Sequence, residues 1–451
     1  MPASASPQRT IDLIGLGIVL SLLGDATLYT VLPDPGIAAA AGISLSVVGL
    51  VLGLNRLVRL VFNPAAGVLY DRLPRRPLLL AALALGTAST AAYAIASGPA
   101  VLLLGRVLWG AAWSGLWIGG NSVVLDLASE ENRGRLSARL QMWFFVGGGV
   151  AFLAGGAFTD LLGYRPGLLA SAGCSAAGLL LWLLRLPETR AEVEPAQGRV
   201  GARAESALPR DLAAPPVDRW QPAAPTAAPV SGRPATPSAW AFPWRQALPA
   251  SIPIFAIRLV FAGVMASTTI LWLSAFVGRQ LELGRLLLPL ATLTGAFSSL
   301  RLGTSVAGAP LGGWLSDRLR RRWAVIAGSL LLSAAGVAIM AVSSGLLAIL
   351  GALAASLAAG GAQALAPALA GDHMRPEQRS RGLSVIYSVG DLGSALGPPL
   401  ALGLLPRLQI SGIYLLSAAA LLVGALHALA LALSERRIAI DLQTVPLIEP
   451  D

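Results

Sequence analysis

Lysine is absent from the 451 residues, so all 33 basic residues are arginine. Cysteine occurs once, at Cys174, and histidine twice, at His373 and His427. These counts exclude a disulfide-stapled scaffold and make a cysteine or histidine metal centre untenable, so we predict no metal and no cofactor. Charged residues make up only 12% of the chain, against roughly 25% in soluble domains, while apolar residues make up 55%. A lipid bilayer is therefore the expected surrounding.

Long apolar runs recur along the whole sequence. A membrane-spanning helix needs about 20 mostly apolar residues, and the sequence contains twelve such runs, rich in Leu, Ala and Gly. They cover residues 11–33, 45–70, 77–97, 99–127, 137–162, 166–186, 250–278, 286–316, 323–343, 345–371, 381–406 and 409–433. Barrel strands are shorter and alternate in polarity. We therefore predict an all-α membrane protein with twelve transmembrane helices.

The arginines are distributed unequally between the two sides of the predicted membrane. Sixteen lie in loops and termini of one side, and four lie on the other, at Arg165, Arg279, Arg285 and Arg407. Cytoplasmic loops carry such an excess. We expect both termini to be cytoplasmic and the chain to be an integral protein of the cell membrane (the inner or plasma membrane). The formal net charge of +10 then reflects topology, and nucleic acid is not expected as a partner.

One long segment interrupts the apolar runs. From Pro187 to Pro249 the chain is polar and rich in Pro, Ala and Arg, which is typical of a flexible linker. The predicted organisation is therefore a six-helix bundle at 11–186, a cytoplasmic linker at 187–249, a second six-helix bundle at 250–434 and a cytoplasmic tail at 435–451.

The two bundles are related in sequence. A shift of 246 residues superimposes a set of prolines, glycines and charged residues without a gap, which indicates an internal duplication. The matched pairs are Pro64 with Pro310, Gly67 with Gly313, Asp71 with Asp317, Arg72 with Arg318, Arg75 with Arg321, Arg76 with Arg322, Asp126 with Asp372, Glu131 with Glu377, and Arg133 with Arg379.

Motifs in these repeats resemble the major facilitator superfamily of secondary transporters. The loop after helix 2 reads Gly67-Val-Leu-Tyr-Asp71-Arg72-Leu-Pro-Arg75-Arg76 and matches the family signature G-x-x-x-D-R-x-x-R-R. The signature recurs after helix 8, from Gly313 to Arg322. Helix 4 contains Gly105-Arg106-Val-Leu-Trp-Gly110, similar to the family's G-R-x-x-x-G, and Leu186-Pro187-Glu188-Thr189-Arg190 is also family-like.

The resemblance implies the fold of that family: two parallel six-helix repeats around a central cavity, with a set of cytoplasmic loops that closes it. It also implies a cytoplasmic gate that latches the two halves together, although the arginines alone could serve membrane topology. The gate residues would be Asp71, Arg72, Arg75, Arg76 and Asp126, with Asp317, Arg318, Arg321, Arg322 and Asp372.

Charges inside the predicted spans are costly and are therefore functional candidates. Asp25 in helix 1 and Arg106 in helix 4 both lie about 10–12 Å from the outer ends of their helices, so they can share a level. We predict a proton-coupling pair, as the resemblance implies for this helix 4 arginine; the alternative is a structural ion pair. Asp391 in helix 11 is either a second proton site or an orienting partner for an arginine.

A second group of polar side chains predicts a substrate cavity. Residues 55, 59 and 63 form one stripe on helix 2, and Arg301 occupies the repeat position of Asn55. Guanidinium groups favour carboxylates and phosphates, which predicts an anionic substrate. The alternative is internal pairing with Asp25 and Asp391. The predicted cavity residues are Asn55, Arg56, Arg59, Arg258, Arg301 and Gln363.

These features predict a monomeric secondary transporter of a small solute, coupled to protons and working in export, and not an enzyme. A receptor without transport activity on the same fold and a uniporter without proton coupling are the alternatives. A lipid-modifying enzyme would need a catalytic cluster near the membrane surface, and an ATP-driven pump would need a G-x-x-x-x-G-K-[ST] loop; neither is present in the sequence.

Overall fold

The computed structural model describes residues 6–129, 132–189, 244–283, 286–374 and 379–444. Most of these residues are helical. The helices are α1 (Pro7–Val31), α2 (Pro35–Ala40), α3 (Leu45–Arg72), α4 (Arg75–Ile95), α5 (Pro99–Leu127), α6 (Arg133–Leu162), α7 (Tyr164–Arg185), α8 (Trp244–Ile257), α9 (Ala266–Val277), α10 (Leu290–Leu319), α11 (Arg322–Val342), α12 (Gly345–Ala364), α13 (Ala366–His373) and α14 (Arg379–Thr444).

The prediction of an all-helical membrane fold is confirmed. Within the described residues, ten helices are long and apolar enough to cross a membrane, counting α8 and α9 as one and the apolar part of α14, Arg381–Glu435, as another. Non-helical backbone at Gln409 divides α14 where the sequence predicts a turn between two spans. The 30-residue α10 is not among the ten. The arrangement is consistent with twelve spans, and that count stays a prediction.

Prolines and caps explain several of the helix boundaries. Proline occupies the first position of α1, α2 and α5, where its missing N–H costs nothing. The carboxylate of Asp34 accepts hydrogen bonds from the N–H groups of Gly36 and Ile37 and so caps α2. Pro64 and Pro310 lie inside α3 and α10 at equivalent positions of the repeat.

The structure differs from the sequence prediction at three places. Gln280–Leu283 and Leu286–Pro289 form antiparallel strands β1 and β2, so the first residues of the predicted span 286–316 are a strand. Helix α8 begins at Trp244, inside the predicted linker, and α14 continues to Thr444, inside the predicted tail. Residues 190–243 of the linker lie outside the described residues.

Two apolar cores lie in one compact unit formed by the helices on both sides of residues 190–241. The first core is drawn from residues 11–186 together with Ala291 and Leu402. The second extends from Ala247 to Ala428. The parts of the chain around the first and second cores are here called the N-terminal and C-terminal halves, and their division into two six-helix bundles stays a prediction.

The halves meet through α3 with α14 and α6 with α10. Gly156 of α6 lies against the backbone of Ala291, so closely that a Cβ atom there would overlap it. The Asp160 carboxylate accepts hydrogen bonds from the N–H and hydroxyl of Thr292 at 2.5 and 2.6 Å. Arg279 pairs with Asp34 at 3.6 Å. All these residues are near the helix ends that the arginine distribution predicts to be extracellular, here called the outer ends, so the halves are closed together there.

Candidate functional site

The buried pair of Asp25 and Arg106 links α1 to α5. Arg106 is fully buried, whereas 15% of the Asp25 side chain is exposed. A guanidinium NH1 group donates to the Asp25 carboxylate, and Nε donates to the carbonyl of Val51 at 3.0 Å. This contact agrees with the sequence prediction that the two residues lie at the same depth in the membrane. Their role in proton coupling stays a prediction.

Two tyrosines surround the same guanidinium. The hydroxyl of Tyr29 accepts from Arg106 at 3.3 Å and donates to the carbonyl of Leu52 at 2.8 Å. The guanidinium carbon lies 5.2 Å from the ring centroid of Tyr29 and 6.0 Å from that of Tyr93. Cations are attracted to aromatic faces at such distances. Arg106 is therefore held firmly whether or not Asp25 carries a charge.

A second cluster joins the two halves near mid-helix. The Asp391 carboxylate of α14 accepts from Arg258 at 2.7 Å and from Arg59 of α3 at 3.2 Å. Arg258 begins a π-helical segment, Arg258–Met265, that separates α8 from α9. Such segments occur frequently at functional sites. Asp391 thus pairs with two arginines, and both roles expected for it, as an orienting partner and as a second proton site, stay predictions.

Arg56 connects the two clusters. It lies within electrostatic range of Asp25, Asp391 and Tyr29. The Nε atoms of Arg56 and Arg59 are buried, and neither has a hydrogen-bond partner in the described part of the chain. We define the charge network as Arg56, Arg59, Arg106, Arg258, Asp25 and Asp391. With both carboxylates ionised, the charge network carries two excess positive charges.

An aromatic wall, which the sequence reasoning missed, lies beside this network. It consists of Trp113 and Trp117 on α5 and Phe144 on α6. The two tryptophan rings are 6.1 Å apart with an interplanar angle of 22°, and Phe144 is 4.7 Å from Trp117. The guanidinium carbon of Arg59 lies 5.8 Å from the Trp113 ring. The signal in the sequence was the four-residue spacing of Trp109, Trp113 and Trp117.

Other predicted cavity residues are not part of the charge network. Arg301 donates to Ser356, Thr269 and the sulfur of Met265, all within the C-terminal half. Arg59 is not among the hydrogen-bond partners of Arg301 in the described residues, and the expectation that both guanidinium groups border one cavity stays a prediction. Asn55 is buried where α3 approaches Gly110 of α5. Gln363 is half-buried in the last turn of α12.

The predicted gate residues pair within each half. Arg75 binds the Asp126 carboxylate through Nε at 2.8 Å and NH2 at 3.2 Å, and Arg322 pairs with Asp372 at 2.5 Å. In the repeat Arg322 corresponds to Arg76, so the two halves use different arginines. Of the remaining gate residues, Asp71 and Arg72 lie at the end of α3, and Asp317 and Arg318 lie at the end of α10. Arg76 is the second residue of α4, and Arg321 directly precedes α11.

Three further contacts near these ends concern residues outside the predicted site. The Glu188 carboxylate accepts from the N–H groups of Arg75 and Arg76 and caps α4. Asp12 accepts two hydrogen bonds from Arg139 and one from Trp143. The Nε2 atom of His427 forms a hydrogen bond with the carbonyl oxygen of Pro249 at 3.1 Å.

Comparison with known proteins places this geometry in context. A family model described as the Major Facilitator Superfamily matches residues 14–304 and 290–443, which together cover most of the chain. The inner membrane transport protein YajR of Escherichia coli is 29% identical over 181 residues, covering 40% of this chain and 39% of the relative.

Two other relatives carry names of resistance proteins. The class C tetracycline resistance protein of Escherichia coli is 29% identical over 180 residues, 40% of this chain and 43% of the relative. The multidrug resistance protein MdtH of Cronobacter sakazakii is 31% identical over 160 residues, 34% of this chain and 39% of the relative. The chain thus spans about two fifths of the length of the curated relatives it matches.

Solved structures share the fold over nearly the whole chain. A bacterial homologue of the human lysosomal transporter Spinster, inward-facing and occupied, has a TM-score of 0.68 at 16% identity and is covered to 96%, against 95% of this chain. The human organic anion transporter MFSD10 has a TM-score of 0.58 at 19% identity, with 94% of this chain and 100% of that chain covered.

Proposed function

The chain belongs to the major facilitator superfamily, and we propose that it is a proton-coupled secondary transporter that exports a small anionic solute by alternating access. As a member of this family it is a transporter in the cell membrane. We propose three further properties: an anionic solute, coupling to protons, and transport in the direction of export.

The charge network is the observation that carries the proposal. Four guanidinium groups and two carboxylates lie within the long apolar helices, and Asp391 joins the N-terminal to the C-terminal half through Arg59. Buried charge without compensation is costly, so a bound anion would stabilise a network with two excess positive charges. In this fold, substrate binds near the midplane between the repeats, where Arg59 meets Asp391.

Asp25 is our candidate for the proton carrier. Its partner Arg106 has further hydrogen bonds to Val51 and Tyr29, so protonation of Asp25 would not leave the guanidinium without acceptors. The side chain of Asp25 is also partly exposed, which offers a path for the proton. Asp391 has two arginine partners and serves as the second candidate.

Alternating access would be a movement of one bundle, 11–186, against the other, 250–434. The ion pairs Arg75–Asp126 and Arg322–Asp372 would then belong to a latch that joins the halves when the cytoplasmic side closes. The termini, the linker 187–249 and the tail 435–451 would be cytoplasmic, and each monomer would transport independently. The names of the tetracycline and multidrug resistance relatives support export.

Transport by the purified full chain in proteoliposomes tests the proposal. A thermal-shift screen of solutes in detergent first identifies ligands, and uptake into inside-out oriented vesicles is then measured with and without an imposed pH gradient. We expect anionic ligands to stabilise the protein and the pH gradient to drive their accumulation. Protein-free vesicles are the control.

Three results would contradict parts of this proposal. If only cations stabilise the protein, the proposal of an anionic solute is wrong. Counterflow without pH-driven accumulation would indicate a uniporter. Ligand binding without any flux would indicate the receptor alternative.

A further inference from the structure

The tryptophans of the aromatic wall retain accessible surface in an otherwise tightly packed region. Trp113 and Trp117 are half-buried, whereas Trp109 one turn before them is 1% exposed and Phe144 is 7% exposed. A tryptophan that only filled the core would be buried in the manner of Trp109. The two exposed faces therefore form a flat apolar surface on α5.

This surface borders the centre of the molecule. Arg59 lies over the Trp113 ring and also binds Asp391 of the opposite half. Trp113 is thus adjacent to the contact between the halves and not on the lipid face. Trp117 lies one helical turn, about 5.4 Å, further toward the cytoplasmic end of α5.

Trp117 is a better candidate for binding a solute than Trp113, whose contact with Arg59 has a structural explanation. Trp113 has a cationic neighbour in Arg59, and that pair stabilises the fold by itself. The ring contacts of Trp117 in the described residues are with Trp113 and Phe144, and the side chain stays half-buried, so part of its surface is accessible to a planar partner. Aromatic rings that stack on one another gain roughly two- to tenfold in affinity beyond simple burial.

From this juxtaposition we propose that the transported solute is an aromatic organic anion. Its ring stacks on Trp117 and Trp113, and its negative group binds Arg59 and Arg56, whose Nε atoms are buried without partners in the described chain. In the solute, the negative group and the aromatic ring must lie within a few bonds of each other, because the guanidinium carbon of Arg59 is 5.8 Å from the Trp113 ring. This inference rests on the proposed function, since it specifies the solute of the same site.

A matched ligand series tests the inference with the purified full chain. The probes are 2-naphthoate, its saturated analogue decahydro-2-naphthoate, and the neutral naphthalene-2-carboxamide, each measured by isothermal titration calorimetry. We expect 2-naphthoate to bind roughly ten times more tightly than the saturated acid and the amide to bind weakest, because it has no charge for the arginines.

Substitutions in the aromatic wall distinguish the contribution of the solute's ring to binding from the contribution of its charge. Trp117→Leu should weaken 2-naphthoate binding roughly two- to tenfold and leave the saturated acid unchanged, while Trp117→Phe should restore most of the difference. The control is Trp244→Leu, since Trp244 lies 53% exposed at the start of α8, and it should leave all affinities unchanged. Thermal unfolding of each variant checks that the fold is intact.

The outcomes distinguish this inference from the proposed function. If both acids bind equally well, or if Trp117→Leu weakens both equally, the aromatic requirement is wrong while an anionic solute stands. If only the amide or a cation such as 2-naphthylmethylammonium binds, the anionic solute fails as well.

Discussion

Two buried arginines have opposite surroundings. Arg106 is completely buried and binds a carboxylate, two backbone carbonyls and two tyrosines. Arg301 is 8% exposed, and its hydrogen-bond partners are two hydroxyls and a thioether. Since an isolated buried charge is costly and a paired one much less so, the two side chains should affect stability with opposite signs.

Replacement by methionine tests this contrast. We expect Arg301→Met to stabilise the protein by roughly 1–4 kcal/mol, because a neutral side chain of similar length removes an uncompensated charge. Arg106→Met should destabilise it by about 3–5 kcal/mol, because Asp25 would lose its partner. Thermal unfolding in detergent measures both. A loss of stability in both variants would indicate that Arg301 has a counter-charge, for example from a bound anion.

Asp25→Asn isolates the titratable function of the pair. The asparagine oxygen can still accept a hydrogen bond from Arg106, so the packing of α1 on α5 should survive. We expect pH-driven accumulation in vesicles to be lost while substrate counterflow continues, because only the charge change has been removed. Asp391→Asn is the comparison variant. Undiminished uphill transport by Asp25→Asn would exclude Asp25 as the carrier and direct attention to Asp391.

At the scale of the elements, the π-helical segment fits against a glycine surface. Gly263 of that segment and Gly397 of α14 are in backbone contact, and a Cβ atom on either would collide with the other's Cα. Arg258 at the start of the segment and Asp391 on α14 belong to the same interface. Close backbone packing here therefore fixes the distance of the Arg258–Asp391 ion pair.

Alanine at Gly397 should disturb this interface. We expect Gly397→Ala to destabilise the protein by roughly 1–3 kcal/mol, since the added methyl group has no space, and to weaken binding of the anionic ligand. Gly403→Ala is the matched control on the same helix, because a Cβ atom at Gly403 meets no neighbour. Equal thermal-unfolding temperatures for the two variants would show that the contact is dispensable.

The sequence predicted the long helices well, because hydropathy alone determines them, but it did not predict features that depend on tertiary packing. Apolar runs and the 246-residue repeat gave the helices and the family, because the bilayer imposes length and hydropathy on each span. The π-helical register at Arg258–Met265 follows from tertiary packing and leaves no local pattern. Strand β2 is apolar enough to read as the start of the predicted span 286–316, whereas β1 lies between two predicted spans.

The candidate site was predictable in part. Depth along the helices brought Asp25 to Arg106, since both were counted from the same end. The partners of Arg301, namely Ser356, Thr269 and Met265, could not be predicted because the repeat gives the level of a residue but not the direction of its side chain. The tryptophans of α5 were overlooked because an apolar stripe within a membrane helix resembles ordinary core.

At the scale of the whole molecule, the halves are closed at the outer ends. The contacts of Gly156 with Ala291 and of Asp160 with Thr292 join α6 to α10, and Asp34 pairs with Arg279. The gate pairs at the opposite ends join helices of the same half. In the proposed transport cycle and with the predicted orientation, access from the extracellular side would require the separation of α6 from α10.

A bulky residue at Gly156 should force that separation. We expect Gly156→Val to lengthen the distance between spin labels at Ala39 and Glu282, both exposed near the outer ends, because the side chain cannot fit against Ala291. Double electron–electron resonance measures the distance. Gly149→Val is the control, since a Cβ atom at Gly149 meets no neighbour. An unchanged distance in Gly156→Val would mean that the outer contact does not govern the conformation.

The excess positive charge of the network also has an electrical consequence. If an anion compensates part of that charge in the loaded state, the empty and loaded carriers differ in net charge. At least one of the two crossings in each cycle then moves charge through the transmembrane field, at about 2.3 kcal/mol per elementary charge for each 100 mV. The membrane voltage would thus set the turnover rate even when the solute concentrations on the two sides are equal.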